Sequence, residues 1–171
     1  NFCCNGCRYC GFNQTTRSTV RRALSLDEAV REAECLAGQG FGHILLVAGE
    51  SYPAEGLDYV LRSIETIYAT RVGNGEIRRV NVNIAPLDVD EFRRLKQARI
   101  GTYQLFQETY SREVYGRVHL AGPKRDFDWR VTVMDRAMEA GIDDVGIGVL
   151  FGLCDWRFEV LSLLQHIKHL E

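Results

Sequence analysis

The chain lacks the marks of several common protein classes. Among its 171 residues the longest apolar stretches are of strand length, so no membrane-spanning helix is expected. It has no excess of positive charge either, with a net charge of −2, and nucleic-acid binding is not indicated. The one arginine-rich run, RSTVRR at Arg17–Arg22, reads as a solvated loop. The cysteines are not spread as a disulfide scaffold would spread them to close long loops. Four of the six, Cys3, Cys4, Cys7 and Cys10, fall in the first ten residues, and Cys35 and Cys154 lie far away. No leader segment is expected before them. A reduced, cytoplasmic location with a metal site fits this usage better than secretion. Gly73-Asn74-Gly75 is not followed by Lys-Ser/Thr, so it is a turn rather than a phosphate loop.

What is present is an alternation of strands and helices. Ser25 with Glu28 forms a capping box that opens a helix running to about Gln39. Strands are expected at His43–Glu50, Ile77–Pro86, Thr102–Glu108 and Asp143–Gly152. Helices are expected at about Ala54–Thr70, Val89–Ala98, Phe127–Ala140 and from Asp155 to the end, with a Gly/Pro/Lys loop at Gly116–Lys124. Strand–helix repetition implies parallel strands with crossover helices. The cysteine loop has no strand before it. The expected fold is therefore α/β, one partial (βα) TIM-like barrel domain over residues 1–171. The first strand, the later βα units and a C-terminal domain would lie outside the sequence. Such a piece has open sheet edges and is not expected to fold well by itself.

Strand phase separates a helix-facing side from a lumenal side. In IRRVNVNIAP the apolar phase is Val80, Val82 and Ile84, leaving Arg79, Asn81 and Asn83 inward. Gln104, Phe106 and Glu108 point inward on the next strand, and Gly146 and Gly148 on the last, where they leave empty volume. Glu50 stands in phase with Leu46 and Ala48 at the end of the first strand. Glu50, Asn83 and Glu108 thus converge on one end of one lumen, where a purely structural barrel would place branched apolar residues.

The cysteine loop admits several metal readings. A zinc ribbon needs a second CxxC about 15–20 residues on, and none follows. A closed four-cysteine site within ten residues would be strained, because adjacent Cys3 and Cys4 point apart. A thioredoxin-like CxxC would not carry two extra cysteines before it. The third spacing is Cys3-x-x-x-Cys7-x-x-Cys10 with Tyr9 before the last cysteine. Three thiolates are one short of the usual four around an iron–sulfur cube and leave one iron open to a substrate.

CxxxCxxC with an aromatic before its third cysteine resembles the radical S-adenosylmethionine (SAM) enzymes. Nearly the whole chain carries the likeness. YCGF, LLVAGE and QETY look like the tyrosine lyases of that superfamily. NGEIRRVNVNIAP, GTYQLFQETY, GPKRDFDWR and MDRAMEAGIDDVGIGVLFGL look most like the branch that matures FeFe hydrogenases, with the thiamine-pathway branch close behind. Cys154 stands where an aromatic is expected. The resemblance implies a 4Fe-4S cluster on Cys3, Cys7 and Cys10, with SAM at the open iron. Reduction by a donor such as ferredoxin or flavodoxin would cleave SAM to a 5′-deoxyadenosyl radical. The radical would attack tyrosine and give p-cresol and dehydroglycine. In the maturase branch dehydroglycine goes on to carbon monoxide and cyanide, and other hydrogenase maturases are possible partners.

The resemblance also suggests roles. Glu50 would accept from the SAM ammonium. Arg130 would pair bidentately with the SAM carboxylate. Asn83 and Glu108 would meet the ribose or amino group, Gly146 and Gly148 the adenine, and Tyr9 the adenine or cluster. Cys4 is the spare thiol. His166 and His169 read as surface histidines, and Trp129 and Trp156 as packing anchors. The rival readings are a radical SAM enzyme with another substrate, and an iron–sulfur or zinc-binding module that is not an enzyme.

Overall fold

A computed structural model describes residues 1–52 and 55–171. Four parallel strands form the sheet: β1 (His43–Val47), β4 (Arg79–Asn83), β5 (Tyr103–Gln104) and β6 (Val145–Gly146), neighbouring one another in that order. Helix α1 (Leu26–Gly38) precedes β1, and α2 (Leu57–Ala69) follows it. Helix α3 (Val89–Gln97) lies between β4 and β5, and α7 (Trp156–Leu170) follows β6. A short hairpin, β2 (Arg71–Val72) with β3 (Gly75–Glu76), turns at the glycines expected to form a turn. Sequential strands side by side with helices on one face are the barrel wall expected from the sequence. Among the described residues no helix is long and apolar enough to cross a membrane.

The ends of the elements follow local chemistry. Ser25 and Glu28 form the expected capping box on α1, and Asp88 with Glu91 forms another on α3. The strand at Thr102–Glu108 has a formal ladder at Tyr103–Gln104, but its pairing continues. Leu105 and Gln107 donate to Gly146 and Gly148 at 3.0 Å, and Glu108 bridges Val149. The expected start of α2 near Ala54 lies outside the described residues.

Two expectations are corrected. Residues 116–124 are not all loop: Ser111 caps α4 (Arg112–Val118), which ends inside that stretch, and a 3-10 turn follows at Pro123–Arg125. The helix expected over 127–140 is two helices, α5 (Phe127–Val131) and α6 (Val133–Glu139), broken at Thr132. The Thr132 hydroxyl donates back to Asp128 O at 2.7 Å, a competitor to the helical pattern.

The core lies between sheet and helices. Val80, Val82 and Ile84 are buried, together with Ile64, Phe92, Leu95, Tyr103 and Met134. This confirms the phase read for β4. At the lower end of the lumenal face the polar groups satisfy one another: Asn81 Oδ1 accepts from Arg79 Nε at 3.0 Å and Thr102 N at 2.9 Å. Arg79 in turn pairs with Asp144. Asn83, one layer higher, makes no side-chain hydrogen bond within the described residues, so the polar lining opens toward the strand C-termini.

Candidate active site at the cysteine loop

Backbone hydrogen bonds fasten the cysteine loop to the segment after α4. Gly6 N donates to Ala121 O at 2.9 Å, Leu120 N to Gly6 O at 3.1 Å and Arg8 N to Val118 O at 2.9 Å. Cys7 and His119 face each other in an antiparallel bridge. Gly122 has φ +80, and a Cβ there would stand 2.4 Å from Asn5 Oδ1, so backbone twist and space both require glycine. Arg21 closes the loop from the other side, its guanidinium donating to the carbonyls of Asn1, Phe12, Asn13 and Thr16. The arginine run is thus partly structural rather than simply solvated.

The four thiols of the loop differ in burial and in partners. Cys7 is buried, and Cys3, Cys4 and Cys10 are partly exposed. Cys3 Sγ accepts from Asn5 Nδ2 at 3.7 Å, and Cys10 Sγ accepts from Phe12 N at 3.4 Å. The Cys4 thiol instead donates to Glu50 O at 2.8 Å. Burial pushes the Cys4 thiol up, and it pushes the Cys7 thiol up against the opposing charge of Lys124. Among the described residues no three His, Cys, Asp or Glu side chains converge on one metal ion. A single zinc would hold each sulfur about 2.3 Å from one centre. An iron–sulfur cube instead takes one thiolate at each separate iron. Three separated thiols in one loop, two of them met by N–H donors, suit a cube.

Asn5 links this loop to the charged groups above the sheet. It is buried, and its Nδ2 donates to Glu50 Oε2 at 2.8 Å while its Oδ1 accepts from Lys124 N at 2.9 Å. Glu50 Oε1 accepts from Arg130 Nη1 at 2.8 Å, and Arg130 Nε donates to Phe106 O at 2.9 Å. The two side chains are 12% and 4% exposed, so this is a buried ion pair. Burial pushes the Glu50 carboxyl up, but Arg130, Lys124 and Asn5 outweigh it and hold the carboxyl below its ordinary value. The charge of Glu50 likewise prevails over burial to raise Arg130.

Glu50 does not arrive by strand phase. Leu46, in phase with it, pairs with the fully buried Val82 on the helix-facing side. The strand ends at Val47, and the turn through Ala48 and Gly49 carries Glu50 to the site. A Cβ on Gly49 would stand 2.2 Å from Phe2 O, so this glycine lets the N-terminal backbone pass.

A second pair stands beside the first. Lys124 Nζ donates to Glu108 Oε1 at 2.7 Å, and both side chains are largely buried. Glu108 has φ +71, a left-handed backbone that costs a non-glycine residue about 1 kcal/mol or more. Tyr9 lies under Lys124, whose Nζ is 5.7 Å from the ring centroid. His119 Nδ1 faces Tyr115 O at 3.0 Å and its Nε2 faces Tyr9 OH at 2.7 Å. A carbonyl can only accept, so Nδ1 carries the proton and Tyr9 donates to Nε2. Burial, with the charges of Lys124 and Arg130, lowers His119 to about 4. Burial pushes the Tyr9 phenol up, keeping it a donor.

The structure therefore brings Cys3, Cys7, Cys10, Tyr9, Glu50, Glu108 and Arg130 to one end of the sheet, with Asn83 at the C-terminal end of β4. It differs from expectation in two details. Arg130 does not stand free as a bidentate fork, because Nε and Nη1 are engaged by Phe106 and Glu50. The volume above Gly146 and Gly148 is not empty: a Cβ on either would lie 2.9 Å from the Gln104 or Phe106 side chain. Sequence reasoning missed Asn5, Lys124 and His119. Asn5 had one available signal, its place between cysteines; His119 caps the end of α4 and Lys124 lies in the 3-10 turn after it, neither of which was foreseen. His166 is half-buried against Tyr110 OH at 2.7 Å, and His169 meets Asp135 at 2.6 Å, so the two do not form a metal pair.

A three-thiol loop above the C-terminal ends of parallel strands defines the class. A sequence model of the Radical SAM superfamily matches residues 1–163, and the chain belongs to that superfamily. Within it, the chain is 49% identical to the FeFe-hydrogenase maturase HydG, with a TM-score of 0.96 over 99% of this chain and 37% of that one. The HydG structure from Carboxydothermus hydrogenoformans superposes with a TM-score of 0.92 at 49% identity, covering 99% of this chain and 38% of that one. The 2-iminoacetate synthase of Escherichia coli (strain K12) is 36% identical over 172 residues, covering 100% of this chain and 44% of that protein. The chain thus spans less than half the length of these relatives.

Proposed function

We propose that this chain is the cluster- and SAM-binding part of a radical SAM lyase that cleaves the Cα–Cβ bond of tyrosine, giving p-cresol and dehydroglycine. The observation that carries the reading is the coupling of the three-thiol loop, through Asn5, to the Glu50–Arg130 pair. Cys3, Cys7 and Cys10 would hold a 4Fe-4S cluster and leave one iron for the amino and carboxylate groups of SAM. When bound, the cluster and SAM supply the electron and the hydrogen-abstracting radical.

The protein's own groups then bind and orient. Glu50 has two oxygens with about four acceptor sites, of which Arg130 and Asn5 use two, so it can still accept from an ammonium group. Arg130 fixes Glu50 and keeps it ionised, with Nη2 left to meet a carboxylate. Asn83 offers an unengaged amide to a ribose or amino group. Glu108, oriented by Lys124, has its second oxygen free for the same purpose. Gly146 and Gly148 offer backbone to the adenine once Gln104 and Phe106 turn aside. Tyr9 packs beneath, its hydroxyl held by His119.

Identity favours the hydrogenase-maturase branch, in which dehydroglycine would be carried on to carbon monoxide and cyanide. The 2-iminoacetate synthase of thiamine thiazole formation is the second reading, supported by the curated relative at 36%. The test uses the full-length protein, reconstituted without oxygen and given dithionite, SAM and tyrosine. Formation of 5′-deoxyadenosine with p-cresol is expected, and carbon monoxide release assigns the branch. Deoxyadenosine without p-cresol rejects tyrosine as the substrate.

A further inference from the structure

The buried side chain of α7 is an acid. Among the described residues Glu159 is the one buried position of that helix, at 0% exposure, while Trp156, Leu161 and Leu164 are exposed. Burying a carboxyl is costly unless donors meet it, and an apolar residue would anchor the helix without that cost. The donors that meet Glu159 are neutral and lie on consecutive residues. The Thr109 hydroxyl donates to Oε1, and Tyr110 N donates to Oε2 at 3.0 Å. Thr109 is itself fully buried, and its hydroxyl oxygen accepts from Ser111 N at 3.1 Å. Two turns further along the same face of α7, His166 Nδ1 meets Tyr110 OH at 2.7 Å. These contacts begin one residue after Glu108. Its left-handed backbone, φ +71, persists only where the surrounding structure holds it. On one side the hold comes from β6 and the chain after it, since Gln107 N donates to Gly148 O at 3.0 Å and Leu150 N to Glu108 O at 2.8 Å. On the other side it comes from Glu159, which engages both Thr109 and Tyr110.

We propose that Glu159 is a positioning residue for Glu108. It locks the left-handed turn and so holds the Glu108 carboxylate where the reading above has it meet SAM, and the inference rests on that reading. Glu159 is too buried to touch a ligand, so its effect passes through the turn. The backbone at residue 108 decides where the carboxyl points, and Lys124 then fixes one oxygen at 2.7 Å. Without Glu159, residue 108 relaxes toward an ordinary backbone and its carboxylate swings from the site. The cysteine loop and the Glu50–Arg130 pair keep their own hydrogen bonds, none of which involves α7.

The test uses the full-length protein with its cluster reconstituted, and measures the dissociation constant of SAM by anaerobic equilibrium dialysis without reductant, so that no turnover contributes. Glu159→Leu, which removes both hydrogen bonds in nearly the same volume, is expected to weaken SAM binding about tenfold. Glu159→Gln, whose amide can bond both neighbours, should stay within about threefold of the parent. Iron content should match the parent in each. A double-variant cycle separates positioning from general destabilisation. Glu108→Ala should weaken binding by itself, and adding Glu159→Leu should weaken it little further, because the lock then has no carboxylate to aim. If Glu159→Leu does not load its cluster, Thr109→Val takes its place in the cycle, with about a threefold loss expected from the one hydroxyl. Single variants that bind SAM as the parent does, a glutamine variant as weak as the leucine one, or losses that multiply in the double variant overturn the positioning role while SAM still binds. A loaded parent protein that binds no SAM overturns the functional reading, and this inference with it.

Discussion

Replacing Arg130 by methionine should unfold more than it disables. The guanidinium is 4% exposed and supplies Glu50 with its charge partner and Phe106 O with its donor. Two unit charges about 4 Å apart interact by roughly 4 kcal/mol at an effective dielectric of 20. Breaking one side of a buried pair typically costs about 3–5 kcal/mol. Arg130→Met is therefore expected to lose about 3–5 kcal/mol in denaturant unfolding at pH 8. Glu50→Gln/Arg130→Met, which removes both charges, should recover about 2 kcal/mol of the summed single losses. The loss should also depend on pH. In the parent, Glu50 is held below its ordinary value, so its contribution is present above the ordinary carboxylate range and is lost as pH falls through the depressed value. Without Arg130, burial dominates and raises the carboxyl, so the variant should instead lose stability as pH rises. Single variants within about 1 kcal/mol of the parent, with a strictly additive double, would refute the claim that this pair organises the site.

Cys4→Ser should retain the cluster's iron and visible absorbance, whereas Cys3→Ser should lose them, because the Cys4 thiol is engaged by Glu50 O. Arg21→Lys should cost about 2 kcal/mol and lower iron loading, since an ammonium cannot reach all four loop carbonyls; iron content and a thermal melt read both. His119, neutral in the fold with its value at about 4, should make the protein progressively less stable as pH falls from 6.5 to 4, and His119→Gln should flatten that segment of the stability profile. Gln107 is buried beside Arg130 and His166 with both amide atoms unpartnered among the described residues, so Gln107→Leu should be neutral or stabilising by about 1 kcal/mol in the same unfolding assay.

Local patterns made the alternation of strands and helices, the capping box at Ser25, the outward phase of β4 and the three-cysteine spacing legible from the amino acids. These depend on neighbours within a turn or along one strand, where the sequence period carries the information directly. The site was legible in its members and less so in its connections. Glu50 was chosen for a phase that does not apply, and it reaches the site because β1 stops at Val47 and Gly49 admits the N-terminal backbone. Only the last turn of α4 falls in the Gly/Pro/Lys-rich stretch, and reading that stretch as loop hid His119 at the helix end and Lys124 in the 3-10 turn.

Which charges meet was settled by the three-dimensional arrangement. The sequence pattern places Arg130 on one continuous helix and names no partner for it within the chain. It lies on the short helix α5, where Phe106 O and Glu50, 80 residues away in sequence, engage its guanidinium. Burial makes such pairings costly to break, because a charge left alone in low-dielectric surroundings has no other partner. The cysteine spacing states what the loop can hold, and long-range packing states which groups stand ready around it.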